Sequence, residues 1–123
     1  LRANNLRIVE TVLESTTRLI AHRKAWKNGW KRGKIEQLAI LLKGALAAES
    51  KVLLKMNALS KNVAAITAIL PSLHAPTVSN LDSRNWVAIE SVVDEAVVRE
   101  IICRLKKAGA EGIIEMPLNK MIP

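Results

Sequence analysis

The feature that most constrains this chain is the punctuated run from Pro71 to Pro123. Three segments stand out in it: Pro71 to Leu81, Trp86 to Asp94, and Ala108 to Glu115. Pro71 disfavours helical geometry at Leu70 and stops any helix arriving there. Thr77–Leu81 and Trp86–Val93 are rich in β-branched and apolar residues, and Asp82-Ser83-Arg84-Asn85 between them has turn chemistry. Asp94 is placed to cap a helix whose apolar stripe is Val97, Val98, Ile101, Ile102 and Leu105. Lys106 and Lys107 suit the negative end of that helix, and Gly109 suits a left-handed stop. Ile113–Met116 then reads as a strand.

Upstream, Val52, Leu54 and Met56 alternate with Leu53 and Lys55, the period of a strand. Ser60 is a candidate cap for a helix burying Val63, Ile66, Ile69 and Leu70. The predicted order is βαββαβ, a ferredoxin-like α+β domain over residues 51–123, with two helices on one face of an antiparallel sheet. Lys34–Glu49 reads as a connector helix over 34–50. Its stripe is Ile35, Leu38, Ala39, Leu42, Ala45 and Leu46, widened by Ile40 and Leu41, so more than one neighbour is expected against it. Residues 1–33 read as a helix over Leu6–Glu14 and a strand over Ser15–His22, the remnant of an α/β domain, followed by a basic stretch, Arg23–Arg32, holding Trp26 and Trp30. A chain that begins at Leu1 without Met reads as a piece of a longer polypeptide.

Charge divides along the same line. Of the net +8, residues through Lys51 carry eleven Lys/Arg against four Asp/Glu, and residues from Val52 carry eight against seven. The basic half with two indoles raises nucleic-acid binding as a reading. Phe and Tyr are absent, and no strand carries paired aromatics for base stacking, so a nucleic-acid partner is not expected. No apolar run nears the roughly 18 residues of a membrane span, so no membrane partner is expected either. The single Cys103 excludes an internal disulfide and fits a reducing, cytoplasmic setting. It reads as a packed thiol. The five glycines form no phosphate-binding pattern, and His22 and His74 have no ligand-spaced companions, so no catalytic residue and no metal ligand is predicted in this chain.

Leu73-His74-Ala75-Pro76-Thr77-Val78-Ser79, Trp86-Val87-Ala88 and Ala108-Gly109-Ala110-Glu111-Gly112-Ile113 closely resemble the C-terminal regulatory domain of the long-type ATP phosphoribosyltransferase family. Leu1-Arg2-Ala3-Asn4-Asn5-Leu6, Ser15 to Ala21 and Lys34-Ile35-Glu36-Gln37 resemble the end of that family's catalytic region. The resemblance covers essentially the whole chain. It implies the first step of histidine biosynthesis, in which ATP and phosphoribosyl pyrophosphate give phosphoribosyl-ATP and pyrophosphate with Mg²⁺. It also places the phosphate-binding loop before the position matching Leu1, so this piece alone is expected to be inactive. The implied role of residues 51–123 is ACT-like: binding L-histidine between neighbouring subunits and shifting a homo-oligomer from dimer towards an inhibited hexamer. The inhibitor positions that carry over are Asn57, Leu73, Ala75, Thr77, Val92 and Gly112, with the Thr77 hydroxyl bonding the ligand and Leu73 and Val92 walling it. Asn57 offers a neutral amide where the family often has an acid. The rival reading is a free-standing ACT-like amino-acid-binding module.

Overall fold

A computed structural model describes residues 7–71, 75–83 and 85–122. The chain divides into two units, Leu1–Glu36 and Gln37–Pro123. In the second, β1 (Lys51–Leu59) leads through a 3-10 turn (Ser60–Asn62) into the short α3 (Val63–Thr67). Then come β2 (Thr77–Asn80), β3 (Trp86–Asp94), α4 (Glu95–Lys107) and β4 (Glu111–Pro117). The sheet is antiparallel throughout, with order β2-β3-β1-β4. This α+β arrangement, with the order βαββαβ, is compatible with a ferredoxin-like fold.

The nine-residue pairing of β1 with β3, from Lys51↔Asp94 to Leu59↔Trp86, organises the rest. Alternation along β1 sends Val52, Leu54, Met56 and Ala58 into the core. Register then places Val93, Ser91, Ile89 and Val87 beside them. Ile66 and Leu70, with Val98, Ile101 and Leu105 of α4, close over this face. Ile102, expected in the stripe of α4, is exposed: Val98, Ile101 and Leu105 already define the inward line at spacings of three and four. The Ser91 hydroxyl is buried opposite Leu54 and has no hydrogen-bond partner among the described residues.

The end of α4 follows the expected chemistry in detail. Gly109 N–H donates to the Lys106 carbonyl at 3.1 Å, and Ala110 N–H donates to the Leu105 carbonyl at 3.0 Å. With Gly109 at φ +93° and Ala110 buried beside Leu105, this is a Schellman closure. Two expected caps take other forms. Asp94 occupies the N-cap position but makes no side-chain cap bond, because register sets it opposite Lys51, whose Nζ it meets at 2.7 Å. Ser60 opens the 3-10 turn instead of capping α3, and its N–H donates to the Asn85 carbonyl at 2.8 Å. Asn85, at φ +69°, makes the left-handed residue of the β2–β3 turn.

The larger departures lie upstream. The helix expected over Leu6–Glu14 and the strand over Ser15–His22 do not form: residues 7–22 hold no regular element, and Ile8, Val9, Val12, Leu13 and Ile20 stand exposed. Their apolar spacing is real, but among the described residues nothing covers it, and an amphipathic segment of this length is stable only when its apolar face is buried. The basic stretch Arg23–Arg32 is largely helical, in α1 (Arg23–Lys27) and the first turn of α2 (Gly29–Ala48). His22 caps α1 by accepting from the Lys24 N–H at 3.2 Å. The Leu38, Leu42 and Leu46 side of α2 is exposed, and the buried positions are Gly44 and Ala48. Gly44 is small for a reason: its carbonyl accepts from the Met121 N–H at 2.9 Å, and the Ile122 side chain lies where a Cβ would project. No helix of the described residues is long and apolar enough to cross a membrane.

Two stability measurements check this packing. Gly109→Ala forces a side chain into the left-handed region against Asn62 and is expected to lower stability by about 1–2 kcal/mol in urea unfolding. Ser91→Ala removes an unpartnered buried hydroxyl and is expected to raise stability by about 1 kcal/mol in the same assay.

Candidate functional site

One face of the sheet is covered by helices, and the other carries the candidate site. On β1 the residues of this open face are Lys51, Leu53, Lys55, Asn57 and Leu59. Register sets Asp94, Val92, Glu90, Ala88 and Trp86 directly beside them on β3. β2 adds Thr77 beside Glu90 and Ser79 beside Ala88. β4 adds Met116 beside Leu53 and Ile114 beside Lys55.

The face is therefore built of cross-strand rows. One row reads Ile114, Lys55, Glu90, Thr77, and the next reads Glu111, Asn57, Ala88, Ser79. Lys55 Nζ and a Glu90 carboxylate oxygen lie 2.8 Å apart, with side chains 44% and 38% exposed. Ala88 is 7% exposed, so its methyl forms a low floor between the Asn57 amide and the Ser79 hydroxyl. The neighbouring Leu53–Val92 row and Met116 make an apolar margin on one side, and Leu59 and Trp86 make one on the other. A small polar centre between apolar rows suits a compact, charged organic ligand better than a long polymer.

The six residues expected around an inhibitor fall on this face unevenly. Asn57 and Thr77 sit in adjacent central rows. Val92 lies half-buried one step beyond Glu90, and Ala75 is exposed just before β2. Gly112 sits in the register shift of β4, next to the Glu111 that pairs with Asn57, at φ +56°, with open space where a Cβ would project. Leu73 lies outside the described residues. Val92 and the Ala88 row beside Asn57 are four residues apart along β3, about 13 Å. Asn57 on β1 and Thr77 on β2 are separated by β3 and by one row, and Ala75 and Gly112 lie towards the opposite edge strands β2 and β4.

Sequence reading missed Lys55, Glu90 and Ser79 because their neighbourhood depends on register. Lys55 and Glu90 are 35 positions apart, and only strand pairing makes them neighbours. A usable signal existed in the opposite charges carried by two apolar-alternating strands.

Other candidate chemistry is sparse. Among the described residues no group of three or more His, Cys, Asp or Glu is placed to hold a metal ion. Cys103, expected to be packed, is exposed on α4, because it lies off the inward line of Val98, Ile101 and Leu105. In the first unit the Arg32 guanidinium lies 5.1 Å from the centre of the Trp26 ring and is paired with Glu36 at 2.7 Å. One face of that indole is thereby taken by a neighbouring cation. Trp30 belongs to α2 and is 72% exposed.

Comparison with known proteins gives two adjoining matches. Residues 48–120 match the family model described as HisG, C-terminal domain, and residues 1–44 match the model described as ATP phosphoribosyltransferase. The ATP phosphoribosyltransferase of Chlorobium luteolum is 57% identical over 122 residues, covering 99% of this chain and 42% of the relative. That of Thermodesulfovibrio yellowstonii is 51% identical over 123 residues, covering 100% and 42%. That of Geotalea daltonii is 57% identical over 122 residues, again covering 99% and 42%. The chain thus spans about two-fifths of the length of these curated relatives.

The open-face ion pair has a measurable worth. A double-mutant cycle on Lys55→Gln and Glu90→Gln is expected to give a coupling of no more than about 1 kcal/mol, shrinking in 1 M salt, as for other half-exposed pairs.

Proposed function

Since the chain belongs to the ATP phosphoribosyltransferase family, we propose that it is the C-terminal portion of that enzyme, which makes phosphoribosyl-ATP and pyrophosphate from ATP and phosphoribosyl pyrophosphate in the first step of histidine biosynthesis. Residues 1–44 are the end of the catalytic region in this reading, and residues 51–123 are an ACT-like regulatory domain. The rival reading, a free-standing sensor, leaves the match over residues 1–44 without a role. The Mg²⁺ of the reaction assists departure of pyrophosphate. The described residues gather no set of ligands for it, and no step is assigned here to the ion.

The regulatory ligand is L-histidine, bound on the open sheet face. The observation that carries this is the placement of Asn57 and Thr77 in adjacent rows of that face, beside the Lys55–Glu90 pair and around the low floor at Ala88. Hydroxyl, amide and paired charges offer donors and acceptors to a zwitterion with a polar ring, while Val92 offers the ring an apolar wall. Ala75 and Gly112 lie at opposite margins, so a neighbouring copy closing over the face supplies the margin that one copy lacks. Ligand and subunit association are thereby linked: a ligand held by two copies favours the associated state by its differential affinity for it. Assembly into a histidine-inhibited hexamer follows this logic, and the enzyme works in the cytoplasm.

Calorimetric titration with L-histidine tests the reading. Thr77→Val is nearly isosteric and removes one hydroxyl, so affinity is expected to fall by about 5- to 10-fold, the worth of one hydrogen bond of about 1 kcal/mol or slightly more. Heat that is absent at millimolar histidine with the unaltered chain would remove the sensing role.

A further inference from the structure

We propose that the tail after β4, residues Leu118–Ile122, is a strap that fastens α2 to the sheet. It is seated in a notch at Gly44 and opens while the sheet stays folded.

The notch is set by one glycine. Gly33 and Gly44 both lie inside α2, where a glycine costs about 1 kcal/mol relative to alanine. At Gly33 an added Cβ would meet nothing within 4 Å, so its surroundings do not exclude alanine. At Gly44 the same Cβ would run into the Ile122 side chain and stand 3.3 Å from the Met121 carbonyl oxygen. The tail backbone therefore lies against the helix backbone here, and the Met121 N–H donates to the Gly44 carbonyl at 2.9 Å.

α2 has little else with which to hold the sheet. Its large residues Leu38, Leu41, Leu42 and Leu46 are exposed. Ala48 is buried but stands outside the core over β1 and β3. The inward side of the last two turns is Gly44, Ala47 and Ala48, which have little apolar area to bury.

The path of the chain brings the tail to this side. α2 enters β1 through Glu49 and Ser50, and β4 ends beside the start of β1, with Pro117 paired to Val52. Four extended residues span about 13 Å and four helical ones about 6 Å, so Pro117 to Met121 is long enough to run back along the last turn of α2. Helix, β1, β4 and tail thus close a ring. Its weakest link is the tail, seated by one backbone hydrogen bond and an isoleucine that is 56% exposed. A segment with so few buried contacts opens at a lower free energy than the core does. Because α2 spans the division between the two units, the strap decides how firmly that helix is tied to the second of them.

Amide hydrogen exchange of the full chain, resolved residue by residue by NMR, tests the strap. In the unaltered chain the Met121 amide is expected to be protected, yet to exchange faster than the amides between β1 and β3. Gly44→Ala is expected to speed Met121 and the Ala45–Ala48 amides about tenfold, against the helix-favouring tendency of alanine, with β1 and β3 unchanged. Ile122→Ala leaves α2 itself untouched and is expected to speed the same amides several-fold. Gly33→Ala is expected to leave Met121 unchanged. A Met121 amide that exchanges like an unstructured peptide in the unaltered chain would overturn the proposal. So would a Met121 that keeps its protection in Gly44→Ala, or α2 amides that slow while Met121 is released, because the tail then holds nothing. Lost protection across β1 and β3 in both Gly44→Ala and Ile122→Ala would overturn it as well, since the tail would then be part of the core and not a separate strap.

Discussion

The pairing of β1 with β3 is the constraint on which the rest of the second unit depends. Its nine consecutive partners set which residues face the helices and which face outward, and a slip of one residue would exchange the two sets. Were β1 to slip, Met56 would leave the core and Lys55 would enter it without Glu90 beside it. Burying such an unpaired ion in an apolar interior costs on the order of several kcal/mol, which makes the observed register strongly preferred. The same pairing that builds the core thus also writes the open face.

That face is organised by contrast. Apolar rows at Leu53–Val92 and Leu59–Trp86 bracket polar rows that contain one ion pair, one amide and two hydroxyls. Edge strands finish it in different ways: β2 contributes short hydroxyl side chains, and β4 contributes a register shift with Gly112 in the left-handed region. A shift of this kind bends an edge and leaves backbone groups without ladder partners. The alternation of rows sets polar groups beside apolar ones with residues drawn from all four strands.

The two units differ in how completely they satisfy their own hydrophobic patterning. In Gln37–Pro123 the inward positions of β1, β3 and α4 pack into one core, and the tail meets Gly44 through the Met121 N–H and the Ile122 side chain. In residues 7–22 the apolar positions are exposed, and the same residues fall within the match to the model described as ATP phosphoribosyltransferase. Periodicity states which face of a segment wants burial, whereas folding requires the surface that buries it. Lys34–Glu49 shows the intermediate case. Helical periodicity was correct there and α2 forms, yet its leucines stay open and the contact that matters is made by a glycine.

The sequence by itself determined the order of strands and helices from Val52 onward, because period-two alternation, Pro71, Gly109 and the Asp82–Asn85 turn are local signals with local causes. It also carried the family, through motifs that keep their order along the chain. It placed Thr77 and Val92 in strands and Asn57 just past the end of one, and left them as separate positions. Only the tertiary structure decided that Asn57 and Thr77 share a face, that Ala75 and Gly112 lie towards opposite edges of the sheet, and that Lys55 meets Glu90. It likewise decided that Asp94 pairs with Lys51 instead of capping α4. The reason is common to all of these: cross-strand register joins residues tens of positions apart, and its choice is made by burying the opposite face of the sheet.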